Sequence, residues 1–313
     1  MSNILRILQS AVGHNTIRQH EPMGRHTSHG IGGPAEYYLA VEKTDDLIRV
    51  LPAAAQVSLP VFIFGSGSHI IFSDTETKGL VIKNNCRKFE IASMKGIIKN
   101  RQLDVRFALV SAEAGVPVNQ LVRFTLEQGL GGLEYFLGLP GTIGGAISMD
   151  ATFPKNNTTI RQALHEVTVL TKEGVHHQGM RSGDVILSAL FHCTPFDKTV
   201  LWERGTQAVR YRSDTAPHDA QAIQVFRNIS LSQAMRIPTP QYSTSPAYFI
   251  EQIGLQGKRV GDAFISDTHP NYIVNKGKAT ASDVLALIVM VKRAVFKQFG
   301  VTLEMEVRVV GEL

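Results

Sequence analysis

Three glycine-rich stretches stand out as places where main chain could meet a ligand. Phe64-Gly65-Ser66-Gly67-Ser68-His69 follows an apolar run, and glycine there lets backbone N–H groups approach a phosphate with no side chain in the way. Gly138-Leu139-Pro140-Gly141-Thr142-Ile143-Gly144-Gly145-Ala146 packs four glycines into nine residues. His26-Thr27-Ser28-His29-Gly30-Ile31-Gly32-Gly33-Pro34-Ala35 adds hydroxyls that suit a phosphate or ribose. Taken singly, each stretch also reads as a tight turn with no ligand. The dinucleotide fingerprint lacks its third glycine, because Ile70 and Ile71 follow Ser68-His69, and no Gly-Lys-Ser/Thr marks a P-loop. Taken together, the three point to one large, extended nucleotide cofactor.

Regular elements must carry these loops. A helix is expected over 45–55, where Asp45 and Asp46 open an apolar spacing of Leu47, Val50 and Leu51. The run Val61, Phe62, Ile63, Phe64 reads as a strand buried on both faces, ending at Gly65. Further strands are expected at 80–83 and 103–111, separated by a less regular basic segment, and a second helix at 117–128 between Pro117 and Gly129. Strands at 167–170, 185–191 and 200–201 read as hairpin-linked. Beyond Arg212 the chain turns polar, with Pro217, Pro238, Pro240 and Pro246, which suggests a second domain. Its clearest element is a helix over 282–299, with Val284, Ile288, Val291, Val295 and Phe299 on one stripe and Gly300 as its stop. A last strand is expected over 301–310.

Composition sets the bounds. The chain has 313 residues, 43% of them hydrophobic and 19% charged, which fits a globular protein of two domains. A formal charge of +5 suits anionic ligands. The densest basic stretch, Arg87, Lys88, Lys95, Lys99 and Arg101, is interleaved with Phe89, Ile91 and Ile97 as on an exposed strand. No nucleic-acid partner is therefore expected. Cys86 and Cys193 lie far apart with no CxxC, so neither disulfide nor metal site is expected. No signal peptide or membrane helix is read in the sequence, and a reducing, cytoplasmic setting and a monomer are expected.

The ordered combination is more specific than any single motif. Thr27-Ser28 with Ile31-Gly32-Gly33-Pro34-Ala35, then Gly65-Ser66-Gly67-Ser68, then Gly132-Leu133-Glu134 with Leu139 to Ala146, resembles the flavin-binding half of the UDP-N-acetylenolpyruvoylglucosamine reductase (MurB) family. Gly254-Leu255-Gln256-Gly257, Gly261-Asp262-Ala263, His269-Pro270-Asn271-Tyr272-Ile273-Val274-Asn275 and Leu303-Glu304-Met305-Glu306-Val307 are similar to its substrate domain and closing strand.

The resemblance implies an α+β protein: a two-lobed FAD-binding domain of the vanillyl-alcohol-oxidase (PCMH) type, plus a smaller α+β substrate-binding domain. It suggests lobes over 1–82 and 83–211, a substrate domain over 212–300 and a closing strand over 301–313. NADPH would be the hydride donor, and UDP-N-acetylglucosamine enolpyruvate would be reduced to UDP-N-acetylmuramate for peptidoglycan. Cofactor contacts would fall on Ile31, Gly32, Gly65, Ser66, Gly67, Ser68, His69, Pro140, Gly141, Thr142, Gly144 and Gly145. Arg227 and Asn228 would contact the sugar nucleotide, and Glu306 and Arg181 would stabilise charge.

Three departures accompany the match. The family's Tyr-Arg-Asp-Ser is reduced to Met180-Arg181-Ser182, and its Asn-Ala-Gly-Ala-Tyr-Gly becomes Asp150-Ala151-Thr152-Phe153-Pro154-Lys155. The Ser that supplies the proton falls on Gln224, in Ile223-Gln224-Val225-Phe226-Arg227-Asn228-Ile229, and an amide is no general acid near neutral pH. Either Ser230 or Ser232 takes that role, or a water, His218 or Asp219 does, or the chain binds FAD or a sugar nucleotide without turnover.

Overall fold

The computed structural model describes residues 3–13, 16–99, 102–177, 181, 183–217, 219 and 221–312. The chain packs as two compact units. One comprises Met1–Arg18, Tyr38–Ser66 and Gly79–Asp214, the other Gln19–Tyr37, Gly67–Lys78 and Thr215–Leu313.

In the first unit, helix Thr44–Gln56 buries Leu47, Val50 and Ala54 on one face, and helix Asn3–Val12 buries Leu5, Leu8 and Val12. Arg49 Nε ties the two by donating to Ala11 O at 3.2 Å. Strand Val61–Phe64 runs parallel to Thr77–Asn84, with Val61 opposite Leu80 and Phe64 opposite Lys83. It is not buried on both faces: Val61 is 36% exposed, because the strand stands at the end of its sheet and has one neighbour.

The rest of this unit is an antiparallel sheet in the order Gly174–His177, Leu164–Thr171, Val185–Pro195, Gln102–Glu113, Phe89–Lys99. Helices Val118–Glu127 and Ile143–Ser148 contribute Leu121, Val122, Leu126 and Ile147 to a core shared with Val110, Phe191 and Cys193. The basic segment read as irregular is strand Phe89–Lys99, paired with Gln102–Glu113 along its length. The strand expected at 200–201 does not form. Val200 and Leu201 lie in helix Lys198–Thr215, whose buried face is Leu201, Gly205 and Ala208, a 3.6-residue spacing carried by residues too small to announce it.

In the second unit, an antiparallel sheet runs in the order Ala222–Gln224, Tyr272–Asn275, Ala263–Ile265, Arg259–Val260. Helix Ala281–Phe299 packs its Val284, Leu287, Ile288, Val291 and Val295 into this unit's core. Thr280 and Asp283 form a capping box at its start, and Gly300, at φ 68°, ends it. The carboxylate of Asp74 accepts from Ala281 N at 2.8 Å, Ser282 N at 2.9 Å and Ser282 Oγ at 2.6 Å. The continuous strand expected over 301–310 is only Arg308–Val310, parallel to Ile70–Phe72. The preceding stretch is held instead by single links, such as the Phe226–Met305 bridge.

Candidate active site

In the second unit, strand Ala222–Gln224 sets Gln224 directly opposite Tyr272, so both side chains leave the same face of the sheet. Tyr272 Oη donates to Gln224 Oε1 at 3.1 Å. Just beyond, Asn271 clamps the bend, accepting from Phe226 N at 3.0 Å and donating to Phe226 O at 2.8 Å. That bend receives the closing segment: Glu306 N donates to Val225 O at 2.8 Å and Arg227 N to Glu304 O at 3.0 Å. Gln224 and Glu306, far apart in sequence, thereby meet, and Gln224 Nε2 donates to Glu306 Oε2 at 2.9 Å.

Burial pushes the Glu306 carboxyl above its ordinary value, against the opposing charge of Arg227 and the Gln224 hydrogen bond. A carboxyl in this state holds a proton to higher pH than a solvated one and can release it to a strong base. Arg227 and Asn228 follow on the exposed surface of the same segment.

The glycine stretches fall within both units. In the first, Gly65 abuts Thr142 so closely that a Cβ on Gly65 would sit 2.2 Å from Thr142 Oγ1. Thr142 caps helix Ile143–Ser148, Gly144 N donates to Ala114 O at 2.8 Å, and Gly141 O accepts from Val118 N. Ser66, Pro140 and Gly145 are exposed. A Cβ on Gly141 would meet nothing within 4 Å, and one on Gly145 only Thr142 Oγ1 at 3.5 Å. Backbone with this much room beside it fits an approaching phosphate or ring.

In the second unit, Gly67, at φ +71°, turns with its Cα against His26 O and Thr27 Cα, 2.8 and 3.0 Å from where a Cβ would stand. Gly32 lies under Met23, Gly24 and Phe72, and Ile31 is buried. Ser68 Oγ meets His69 Nδ1 at 3.1 Å, and burial holds the His69 imidazole below its usual value. His29 is fully buried: Ile31 N donates to its Nδ1 at 3.2 Å and its Nε2 to Ile70 O at 2.8 Å. The bond from Ile31 N needs the neutral ring, and burial, offset in part by the Ile70 bond and helped by His69, lowers its pKa to about 4.

Arg181 lies in the first unit, exposed between strands Gly174–His177 and Val185–Pro195, its N–H donating to Asp184 Oδ2 at 2.8 Å. Met180, Ser182 and His218 lie outside the described residues. Asp219 is paired with Lys276 Nζ at 2.7 Å, and Ser230 is spent as the cap of helix Leu231–Ala234, with Ser232 Oγ against it at 3.0 Å. Sequence reasoning gave Tyr272 and Asn271 no role. A strand tyrosine and a turn asparagine look like packing and punctuation until their partners are known.

Among the described residues, no group of three or more His, Cys, Asp or Glu could hold a metal ion, and no helix is long and apolar enough to cross a membrane. Residues 35–178 match the FAD binding domain family, and residues 216–310 match the model described as UDP-N-acetylenolpyruvoylglucosamine reductase, C-terminal domain. With the sheets and glycine turns above, the first match defines a flavoprotein, an α+β FAD-binding domain of the vanillyl-alcohol-oxidase type joined to a smaller substrate domain.

Curated relatives narrow the class. The UDP-N-acetylenolpyruvoylglucosamine reductase 2 of Symbiobacterium thermophilum is 34% identical over 94% of this chain and 92% of its own length. The reductase of Methylococcus capsulatus is 34% identical over 97% and 96%. The crystal structure of the Thermus caldophilus enzyme (MurB) superposes with a TM-score of 0.71 at 25% identity, covering 95% of this chain and 99% of that one. The chain belongs to the UDP-N-acetylenolpyruvoylglucosamine reductase family, whose members are FAD-dependent oxidoreductases of peptidoglycan synthesis.

Proposed function

We propose that this chain reduces UDP-N-acetylglucosamine enolpyruvate to UDP-N-acetylmuramate, with NADPH as hydride source, as a cytoplasmic monomer with no nucleic-acid partner. The observation that supports this reading best is the Glu306 carboxyl set against Gln224 and Arg227, on a chain that aligns with the reductases over nearly its whole length. FAD would be held by Ile31, Gly32, Gly65 to His69, Pro140, Gly141, Thr142, Gly144 and Gly145, of lobes 1–82 and 83–211, and when bound would supply the hydride.

The chain's own side chains do the rest. Arg227 and Asn228, in the 212–300 domain, hold the anionic sugar nucleotide, the guanidinium pairing with phosphate oxygens. Arg181 offsets the negative charge that builds on the substrate carboxylate during reduction. Gln224 donates to Glu306 and holds that carboxyl in place.

A second reading is favoured by the sequence resemblance, which puts Gln224 where the family has its proton-donating Ser, since an amide cannot itself act as an acid. On that reading the chain binds FAD or the sugar nucleotide without turnover. Anaerobic spectroscopy separates the two. Purified protein is yellow, NADPH bleaches it, and the enolpyruvyl sugar nucleotide restores the colour if the chain is a reductase. Colour that stays bleached, with stoichiometric sugar-nucleotide binding, supports the binding role. Gly65→Ala forces a Cβ into Thr142; the expected outcome is FAD affinity lowered about tenfold, for a strain of roughly 1–3 kcal/mol, measured by flavin fluorescence on titration.

A further inference from the structure

Resting on the reductase reading, we infer that Glu306 itself delivers the proton in this chain, with Gln224 as its positioning residue and Tyr272 as the group that sets the Gln224 amide. The argument begins with that amide. A glutamine side chain can face either way round, and its orientation follows from its partners. Tyr272 Oη donates to Gln224 Oε1 at 3.1 Å, which turns the NH₂ group toward Glu306, where Nε2 donates to Oε2 at 2.9 Å. One carboxyl oxygen is thereby committed as an acceptor. The proton of the neutral acid must then sit on Oε1, the oxygen with no hydrogen-bond partner among the described residues. An amide in place of a hydroxyl thus moves the acid one residue along the same hydrogen-bond line.

Four other candidates among the described residues are engaged elsewhere. Ser230 caps a helical turn and Ser232 bonds to it, Asp219 is paired with Lys276, and the Tyr272 proton is given to Gln224. The groups that face Glu306 are Gln224 and Arg227 from the strand Ala222–Gln224 and its continuation, and Tyr272 through the amide. Burial of Glu306 favours its neutral form over its carboxylate.

The step balances. Hydride adds to the terminal carbon of the enolpyruvyl double bond, and the π pair moves to the carbon bearing the carboxylate. The O–H bond of Glu306 breaks as that pair takes the proton. The resulting carboxylate keeps the Gln224 hydrogen bond and gains the nearby positive charge of Arg227, and it takes a proton from water before the next turnover.

The test compares wild type, Glu306→Gln and Tyr272→Phe as FAD-loaded proteins, counting only molecules that NADPH has bleached, so that a variant that fails to fold or load is not scored. The rate of recolouring by the enolpyruvyl sugar nucleotide is followed from pH 5 to 9. The wild-type rate is expected to fall as pH rises, through a single limb above the ordinary carboxylate range. Glu306→Gln is expected to lose roughly 10²–10⁴-fold in that rate and to lose the limb. Tyr272→Phe keeps the limb but moves it, because an amide released from its tyrosine no longer holds its donor on the carboxyl; a purely structural role would lower the rate with the limb unmoved. Recolouring of Glu306→Gln at the wild-type rate, or an unchanged limb in it, overturns the assignment of the donor alone. Wild type that never recolours overturns the reductase reading and the donor together.

Discussion

Asp74 and Glu306 are carboxylates of the same unit, and they show opposite responses to their surroundings. Asp74 is exposed and accepts from Ala281 N, Ser282 N and Ser282 Oγ; burial acts against it, but the bonds from Ser282 and Ala281 outweigh that and hold its carboxyl below the usual range. Glu306 is more buried, has one donor in Gln224, and is pushed upward despite Arg227. The number of donors aimed at the charged form decides the sign. A carboxylate with three donors at the start of a helix pins structure, whereas a carboxyl with a single donor and little solvent holds its proton to higher pH.

Glu306→Gln is the sharpest way to break this contrast. Turnover should fall roughly 10²–10⁴-fold, while the thermal midpoint moves by less than about 4 °C, since an amide fills the same space without a charge. Comparable losses of both activity and stability would mean that the carboxyl is structural, as Asp74 is.

His29 extends the comparison to a group whose two nitrogens are both committed. Its pKa of about 4 in the folded chain lies below the ordinary 6.5, so its contribution is complete above pH 6.5 and is lost as pH falls toward 4. That loss is on the order of 2–3 kcal/mol. Denaturant midpoints at pH 7.5 and pH 5 measure it, and His29→Phe should flatten the difference.

Asp74→Ala gives the smallest effect and the reverse pattern. It removes three bonds from the start of helix Ala281–Phe299 and should cost about 1–2 kcal/mol, seen as a thermal midpoint lower by about 2–6 °C, with turnover per FAD-loaded molecule unchanged.

Legibility from sequence followed the strength of the local pattern. Helices Thr44–Gln56 and Ala281–Phe299 could be read because acidic starts and apolar stripes agree in both, and Gly300 stops the second. Helix Lys198–Thr215 could not, since Leu201, Gly205 and Ala208 form a face too weakly apolar to register. Strand Phe89–Lys99 showed in the interleaving of its basic and apolar residues but not in its bounds, and Arg308–Val310 was overextended because an apolar alternation does not say where a pairing partner ends. For the site, the ordered motifs brought out Gln224, Arg227 and Glu306, while Tyr272 and Asn271 became visible only through register and hydrogen bonds. Periodicity within one strand carries no information about which side chain will stand opposite on the next.

The most direct test is a carboxyl titration of ¹³C-labelled protein, with Glu306 assigned by its loss in Glu306→Gln and Asp74 by its loss in Asp74→Asn. The account predicts that the Glu306 carboxyl titrates above its ordinary value of 4.5 and the Asp74 carboxyl below its ordinary 3.8, and that Tyr272→Phe moves only the former. A Glu306 carboxyl that titrates at or below 4.5 would contradict it.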